Sequence, residues 1–211
     1  MKTNCHLVIF TRYPRLGTGK RRLAAQTGAV EALRFQRVSL ANTLLKLGND
    51  ARWSTWLAVT PDHSGPWPSR YGILRQGTGD LGQRLMRVTN RLPTGPVLII
   101  GSDVPGIPPD LIAKGFSLLE GQDAVFGPSS DGGYWAVGLR RRPNAPNPFH
   151  DVRWSTAHAL SDSMRNLQGR RVALLPEIDD VDDAASLASY PKWGLLHGTI
   201  AAAKISSATR R

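Results

Sequence analysis

The stretch Val97-Leu98-Ile99-Ile100-Gly101-Ser102-Asp103-Val104-Pro105 decides how this chain is read. Four consecutive apolar residues predict a strand buried on both faces, and Pro105 cannot continue its hydrogen-bond ladder. Asp103 therefore stands at the carboxyl end of a core strand, where open α/β sheets bind their ligands. An Asp in that place also serves as an ordinary turn residue. What raises its interest is that polar signals recur just after other apolar runs of the chain.

Outward from this strand, apolar runs and helical spacings alternate. Residues 5–11 (Cys-His-Leu-Val-Ile-Phe-Thr) predict a first strand, followed by a Gly/Pro/basic loop over 12–20. Val30, Leu33, Val38, Ala41, Leu44 and Leu45 fall at helical spacing, and Gly48-Asn49-Asp50 ends that helix. Strands are expected at 53–59 and 71–75, a helix over 80–91, and a second helix over 108–120 with proline in its first turn. Residues 123–127 and 134–139 read as two short strands joined by a turn, an arrangement that suits antiparallel pairing. A helix over 156–167, a strand over 171–175 and a short helix over 184–189 complete the pattern. Alternating strands and helices imply a mostly parallel, mixed sheet with helices on both faces. No repeat or low-complexity linker divides the chain. Residues 1–190 are therefore expected to form one domain, and 191–211 a tail or short helix.

Bulk composition narrows the function classes. At 211 residues the chain can bury a substantial core without disulfides or structural metal. Its single cysteine, Cys5, excludes an internal disulfide and reads as a buried thiol in a reducing compartment. No apolar stretch approaches the roughly 20 residues of a membrane span, and residues 7–10 are too short for a signal-peptide core; a cytoplasmic protein is expected. Net charge is +11, from 27 Lys plus Arg against 16 Asp plus Glu. That surplus attracts polyanions. Yet the cations crowd into Arg12, Arg15, Lys20, Arg21 and Arg22, into Arg140 to Arg142, and into the terminal Arg210 and Arg211. No zinc-finger or RNA-recognition signature accompanies them.

Five groups carry possible chemistry. In residues 12–23, Gly17 and Gly19 permit close backbone approach to an anion that Arg12, Lys20 and Arg22 can neutralise, although the spacing is not that of a Walker A loop. In Gly77-Thr78-Gly79-Asp80-Leu81-Gly82-Gln83-Arg84, Asp80 is placed to cap a helix or to accept hydrogen bonds from a nucleoside. Asp103 and the cluster Asp179, Asp180, Asp182 and Asp183 offer carboxylates to a divalent ion that shares a nucleotide's phosphates; helix capping is the alternative for the cluster. Asp131-Gly132-Gly133-Tyr134 combines a tight turn with an acid. Trp154-Ser155-Thr156 pairs a bulky wall with a capping hydroxyl.

In order, these motifs resemble a bacterial nucleotide-diphospho-sugar transferase-like family, the selenodomain-associated or arsenosugar-biosynthesis-type glycosyltransferases. The family pattern Lys-x-Pro-x-Pro-Gly-x-x-Lys-Thr-Arg-Leu is matched by Arg12-x-Pro14-x-Leu16-Gly17-x-x-Lys20-Arg21-Arg22-Leu23. Gly-Asp-Leu-Gly, Gly-Ser-Asp-x-Pro, Asp-Gly-Gly-Tyr, Trp-Ser-Thr and Asp-x-Asp follow at 79–82, 101–105, 131–134, 154–156 and 180–182. Arg12 replaces Lys, Leu16 replaces Pro and Arg21 replaces Thr. The resemblance implies a single-domain Rossmann-like GT-A fold. It implies that Gly17, Lys20 and Arg22 hold the donor's phosphates, that Arg12 and Ser102 also bind the nucleotide, and that Gly79 and Asp80 lie near the nucleoside. By the same carry-over, Asp103 with Asp180 or Asp182 would hold Mg²⁺ or Mn²⁺, and Asp131 and Tyr134 would face the acceptor.

The activity expected from the set is metal-dependent transfer of a glycosyl group from a nucleotide-sugar donor to a small-molecule acceptor. Nucleotidyl transfer from a nucleoside triphosphate to a phosphorylated small molecule uses the same loop and remains open. A non-catalytic nucleotide- or polyanion-binding protein is the answer of a different class, and the +11 charge keeps nucleic acid among its partners. Oligomeric state is not readable from the sequence.

Overall fold

The computed structural model describes residues 4–141 and 145–189. Seven strands form one sheet: β1 (His6–Arg12), β2 (Ser54–Thr60), β3 (Gly72–Arg75), β4 (Val97–Gly101), β5 (Ala124–Pro128), β6 (Tyr134–Leu139) and β7 (Val172–Leu174). Their order is β3-β2-β1-β4-β6-β5-β7. β6 is antiparallel to both β4 and β5, while the β1–β2, β1–β4, β2–β3 and β5–β7 pairs are parallel. The mixed sheet anticipated from the spacing of the 123–139 pair is therefore present.

Six helices complete the fold: α1 (Arg21–Thr27), α2 (Ala29–Leu47), α3 (Leu81–Arg91), α4 (Pro109–Gly121), α5 (Ala159–Arg165) and α6 (Ala184–Ser189). Leu7, Ile9, Leu57, Leu98 and Ile100 pack on one face of the sheet with Leu40 and Leu47 of α2 and Ile112, Phe116 and Leu119 of α4. Val8, Ala58, Val97, Ile99, Val137 and Leu139 pack on the other with Leu85 and Val88 of α3, joined by Leu160 of α5. Burial on both faces explains why the central strands are continuous apolar runs rather than alternating ones.

The chain leaves β1, builds β2 and β3 on one side, then returns to form β4 on the other. That reversal opens a crevice between the carboxyl ends of β1 and β4. Because β6 runs antiparallel to β4, its amino end lies at the same edge. The loops after β1, β2, β3, β4 and β7 and the β5–β6 turn therefore all gather there.

Residues 21–27, to which the sequence pattern assigns no element, form α1, which buries only Leu23 against Ala32, Phe35 and Val181. A seven-residue helix with one buried apolar side chain leaves no periodic signal to read. The helix expected from residue 156 begins at Ala159, because residues 153–158 form a separate turn. Cys5 is half-buried rather than buried. Expectations for residues 190–211 lie outside the described residues.

The turn before α5 is fixed by Asp162. Its carboxylate accepts from Arg153 Nε and Nη2 at 2.8 Å each and from the Arg153 backbone N–H at 3.1 Å. Arg153's hydrogen bonds hold Asp162 well below the usual carboxylate range, against the opposing effect of burial and with help from Arg165. A depressed carboxylate stabilises the fold above the unfolded pKa of about 4 and loses that contribution as pH falls through the lower folded value. Asp162→Asn is therefore expected to melt earlier than the parent at neutral pH and to show a flatter acid-side decline, measured by thermal unfolding from pH 7 to pH 2.

Candidate active site

Asp103, Asp180 and Asp182 converge on one cation. Lys20 Nζ lies 2.8 Å from Asp103 Oδ2, 2.9 Å from Asp180 Oδ2 and 2.8 Å from Asp182 Oδ1. The lysine side chain is only 8% exposed, whereas the three carboxylates are 35–48% exposed. Burial alone would favour neutral lysine, but Asp103 and Asp180 outweigh it and hold the ammonium charged well above the ordinary lysine range. Asp180 is pushed up by burial, an effect that Lys20 opposes and that Asp103 and Asp182 reinforce.

Local structure explains the convergence. Lys20 adopts a left-handed backbone at the start of α1, which turns its side chain out of the loop and inward. The loop is tied to α2 by Gln36 Nε2, which donates to the Thr18 carbonyl at 3.0 Å. Ser39 Oγ of α2 donates to the Ser102 carbonyl at 2.7 Å, fixing the turn after β4. The Val181 N–H donates to the Asp103 carbonyl at 3.3 Å, bringing the 180–182 segment alongside.

Lys20 is expected at a ligand's phosphate; its ammonium is instead buried among protein carboxylates. Arg22, also expected to hold phosphate, leans toward Asp182 Oδ2 at 3.7 Å while 81% exposed. Arg12, the last residue of β1, and Gly17 in the loop after it lie exposed. Among the described residues no group of three acidic, histidine or cysteine side chains stands in a metal-holding arrangement. Asp103, Asp180 and Asp182 stand around the Lys20 ammonium. Their donors are all carboxylate oxygens and outnumber the single ammonium by two charges, which suits Mg²⁺ or Mn²⁺ in chemistry and charge.

The glycine motif after β3 is built as a rigid turn. Asp80 Oδ1 accepts from the Gln83 N–H at 2.8 Å and Gln83 Oε1 accepts from the Asp80 N–H at 3.3 Å, a capping box on α3. Arg87 Nη1 donates to the carbonyls of Gln76 at 2.6 Å and Thr78 at 2.8 Å. Gly77 and Gly79 take positive φ, which side chains resist. Gly82 faces Phe149 and Trp154 so closely that a Cβ there would meet Phe149 Cβ at 2.7 Å and its carbonyl at 2.8 Å. Gly82→Ala should thus cost about 1–3 kcal/mol through forced backbone movement, read by urea unfolding. Beside this motif an open cavity of about 360 Å³ is lined by Asp80, Gln83, Met86, Phe149, His150 and Asp151, among others, and shares no residue with the Lys20 group.

The β5–β6 turn brings Asp131 to the same sheet edge, exposed, with one oxygen accepting from the Gly133 N–H at 2.8 Å. Tyr134 does not present a free hydroxyl. Its ring packs edge-on to Phe126 and Trp154, and its oxygen lies 3.3 Å from Ser163 Oγ of α5. Burial pushes its ionisation far above the ordinary tyrosine value, with Ser163 opposing weakly. This geometry joins helix to sheet, since a buried phenol needs a partner. The positioning residues Gln36, Ser39, Gln76, Arg87 and Arg153 escaped the sequence reading. Only Gln76, the residue where an apolar strand meets the first glycine, carried a local signal.

Residues 43–156 match the family described as "Uncharacterized protein conserved in bacteria (DUF2064)". The chain belongs to this family. No curated protein matches it. Among solved structures it is similar to a candidate nucleotide-diphospho-sugar transferase from Desulfovibrio desulfuricans G20, at 26% identity and TM-score 0.79 over 88% of this chain and 85% of that one. It also shares its fold with 4-diphosphocytidyl-2C-methyl-D-erythritol synthase from Anaerococcus prevotii (9% identity, TM-score 0.54, 89% and 96% covered). The inositol-1-phosphate CTP transferase from T. maritima is a third fold neighbour (13% identity, TM-score 0.52, 90% and 93% covered). The single-sheet Rossmann-like architecture inferred from the sequence is the one these chains share. No helix among the described residues is long and apolar enough to cross a membrane.

Proposed function

We propose that this protein transfers a glycosyl group from a nucleotide-diphospho-sugar to a small-molecule acceptor, with nucleotidyl transfer as the second reading. One observation carries the proposal: a lysine and three aspartates from three separate stretches of chain meet at the β1–β4 crevice. The likeness to the D. desulfuricans transferase and the six ordered motifs of the selenodomain-associated or arsenosugar-biosynthesis type support it.

The donor's diphosphate belongs beside Lys20 and the residue 12–20 loop, where Arg22 adds positive charge. Asp103, with Asp180 or Asp182, would hold Mg²⁺ or Mn²⁺; when bound, such an ion neutralises charge on a departing diphosphate oxygen. With such an ion on the carboxylates, the Lys20 ammonium would be free to donate to the phosphates. Gly79 and the N–H groups at the start of α3 lie toward the nucleoside. Asp131 accepts the acceptor's hydroxyl proton as its oxygen bonds to the anomeric carbon. The bond from that carbon to the diphosphate breaks, and nucleoside diphosphate departs. Tyr134 holds α5 in place rather than taking part.

The test is product analysis by anion-exchange chromatography after incubation with Mn²⁺ and a panel of nucleotide sugars or nucleoside triphosphates. Release of nucleoside diphosphate from a nucleotide sugar is the expected outcome. Pyrophosphate released only from a triphosphate, with a phosphorylated acceptor present, replaces the first reading by the second. No release from any donor overturns both.

A further inference from the structure

A second charged group lies across β1 from Lys20. Alternation along the strand puts Phe10 and Arg12 on the same face, and Phe10 packs with Leu85 and Val88 of α3. Arg84, one turn into α3, has its guanidinium carbon 5.8 Å from the centre of the Phe10 ring. Its Nη1 donates to Gln76 Oε1 at 3.0 Å. Gln76 is 1% exposed, and its Nε2 donates to the carbonyls of Thr11 at 3.1 Å and Ala58 at 2.8 Å. The amide is thereby locked with its oxygen toward Arg84, and the guanidinium is held at the carboxyl edge of the sheet.

What this arrangement lacks is an anion. Among the described residues neither Arg12 nor Arg84 forms an ion pair, and Arg84 Nε is buried without a hydrogen-bond partner. Asp80, the acid whose charge reaches Arg84, is committed to capping α3. Burial, and then the charge of Arg12, makes Arg84 less willing to hold its proton than a free guanidinium. Holding two like charges near one another, one of them partly desolvated, is unfavourable until a counter-charge arrives. A guanidinium fork suits tetrahedral and planar oxyanions, and the neighbouring chemistry is that of phosphates.

We infer that Arg12 and Arg84, with Gln76 as the positioning residue, form a phosphate subsite on the α3 side of β1, separate from the Lys20 carboxylate centre. The proposed transferase reading bears only on where the phosphate comes from. The group is either the donor's own diphosphate or a phosphate carried by the acceptor.

The experiment is titration of the whole protein with sodium phosphate, in EDTA and at fixed ionic strength, followed by thermal shift and calorimetry. EDTA keeps divalent ions away, so Lys20 stays engaged by its three aspartates. The parent is expected to bind phosphate. Arg84→Gln and Arg12→Gln should each weaken binding about tenfold, the usual scale for losing one charge-assisted hydrogen bond. Arg34→Gln, which removes one exposed cation from α2, should leave it unchanged. Arg12 is exposed, so its variant keeps the test alive even if Arg84→Gln fails to fold by circular dichroism. Equal weakening in all three variants, or no phosphate binding by the parent, overturns the inference.

A second titration of Arg84→Gln, with glycerol phosphate and with nucleoside diphosphates, separates the two sources. Weakening confined to glycerol phosphate assigns the subsite to the acceptor; weakening of the nucleoside diphosphate assigns it to the donor. Loss of neither overturns the subsite. Phosphate binding that depends on Arg84 in a protein that releases no product from any donor would retain the subsite and discard the transferase.

Discussion

Replacing Lys20 by methionine is expected to destabilise the metal-free protein by about 1–3 kcal/mol, and Mn²⁺ is expected to reverse most of that loss. Breaking a fully buried ion pair by removing one partner typically costs about 3–5 kcal/mol. The three aspartates that would be left are 35–48% exposed, so water recovers part of that cost. A divalent ion supplied at a hundredfold excess over its Kd stabilises a native state by about 2.7 kcal/mol, enough to compensate. The parent should gain less from Mn²⁺ than the variant, because in the parent the ion must displace an ammonium that already satisfies the carboxylates. Thermal unfolding of both proteins with and without Mn²⁺ measures the difference. Equal gains, or none in either, would show that Lys20 and the ion do not compete for the same oxygens.

Asp103→Asn is the second large effect. The substitution is close to isosteric and leaves the backbone carbonyl that accepts from Val181 untouched, so the fold should survive. What it removes is one charge from the only carboxylate of the trio fixed to a core strand. Pre-organised charge of this kind is commonly worth about two to three orders of magnitude in turnover. The expected result is a fall of about that size in donor consumption, with a melting temperature near the parent's when both are measured without divalent ion. Activity within a few-fold of the parent would remove Asp103 from the centre.

Continuous apolar runs such as Val97–Gly101 mark strands buried on both faces, because a sheet covered by helices leaves no face for polar residues. The Gly79-Asp80 pair announces the start of α3, since a cap and a positive-φ turn require those residue types. The α1 helix is illegible for the opposite reason: a single buried leucine in seven residues has no period.

For the site, local chemistry places Asp103, Asp180, Asp182 and Lys20 at the crevice, but charge alone does not say which partner a cation takes. Lys20 is paired with protein, not left waiting for phosphate, because a left-handed residue at the start of α1 turns it inward. Tyr134 follows an acid and two glycines and so suggests chemistry; its partner Ser163, 29 positions later, gives it a packing role visible only in three dimensions. Arg84 closes the glycine motif in the sequence, but its contacts with Gln76 and with Phe10 of β1 are made only in the fold.

The measurement that bears most directly on the central claim is calorimetric titration of the parent protein with nucleotide sugars and nucleoside diphosphates, in Mn²⁺ and again in EDTA. Saturable binding of one base class in Mn²⁺, weakened at least tenfold in EDTA and by Asp103→Asn, is the predicted result. Absence of saturable binding with every nucleotide in both conditions would contradict a nucleotide-dependent centre at the β1–β4 crevice.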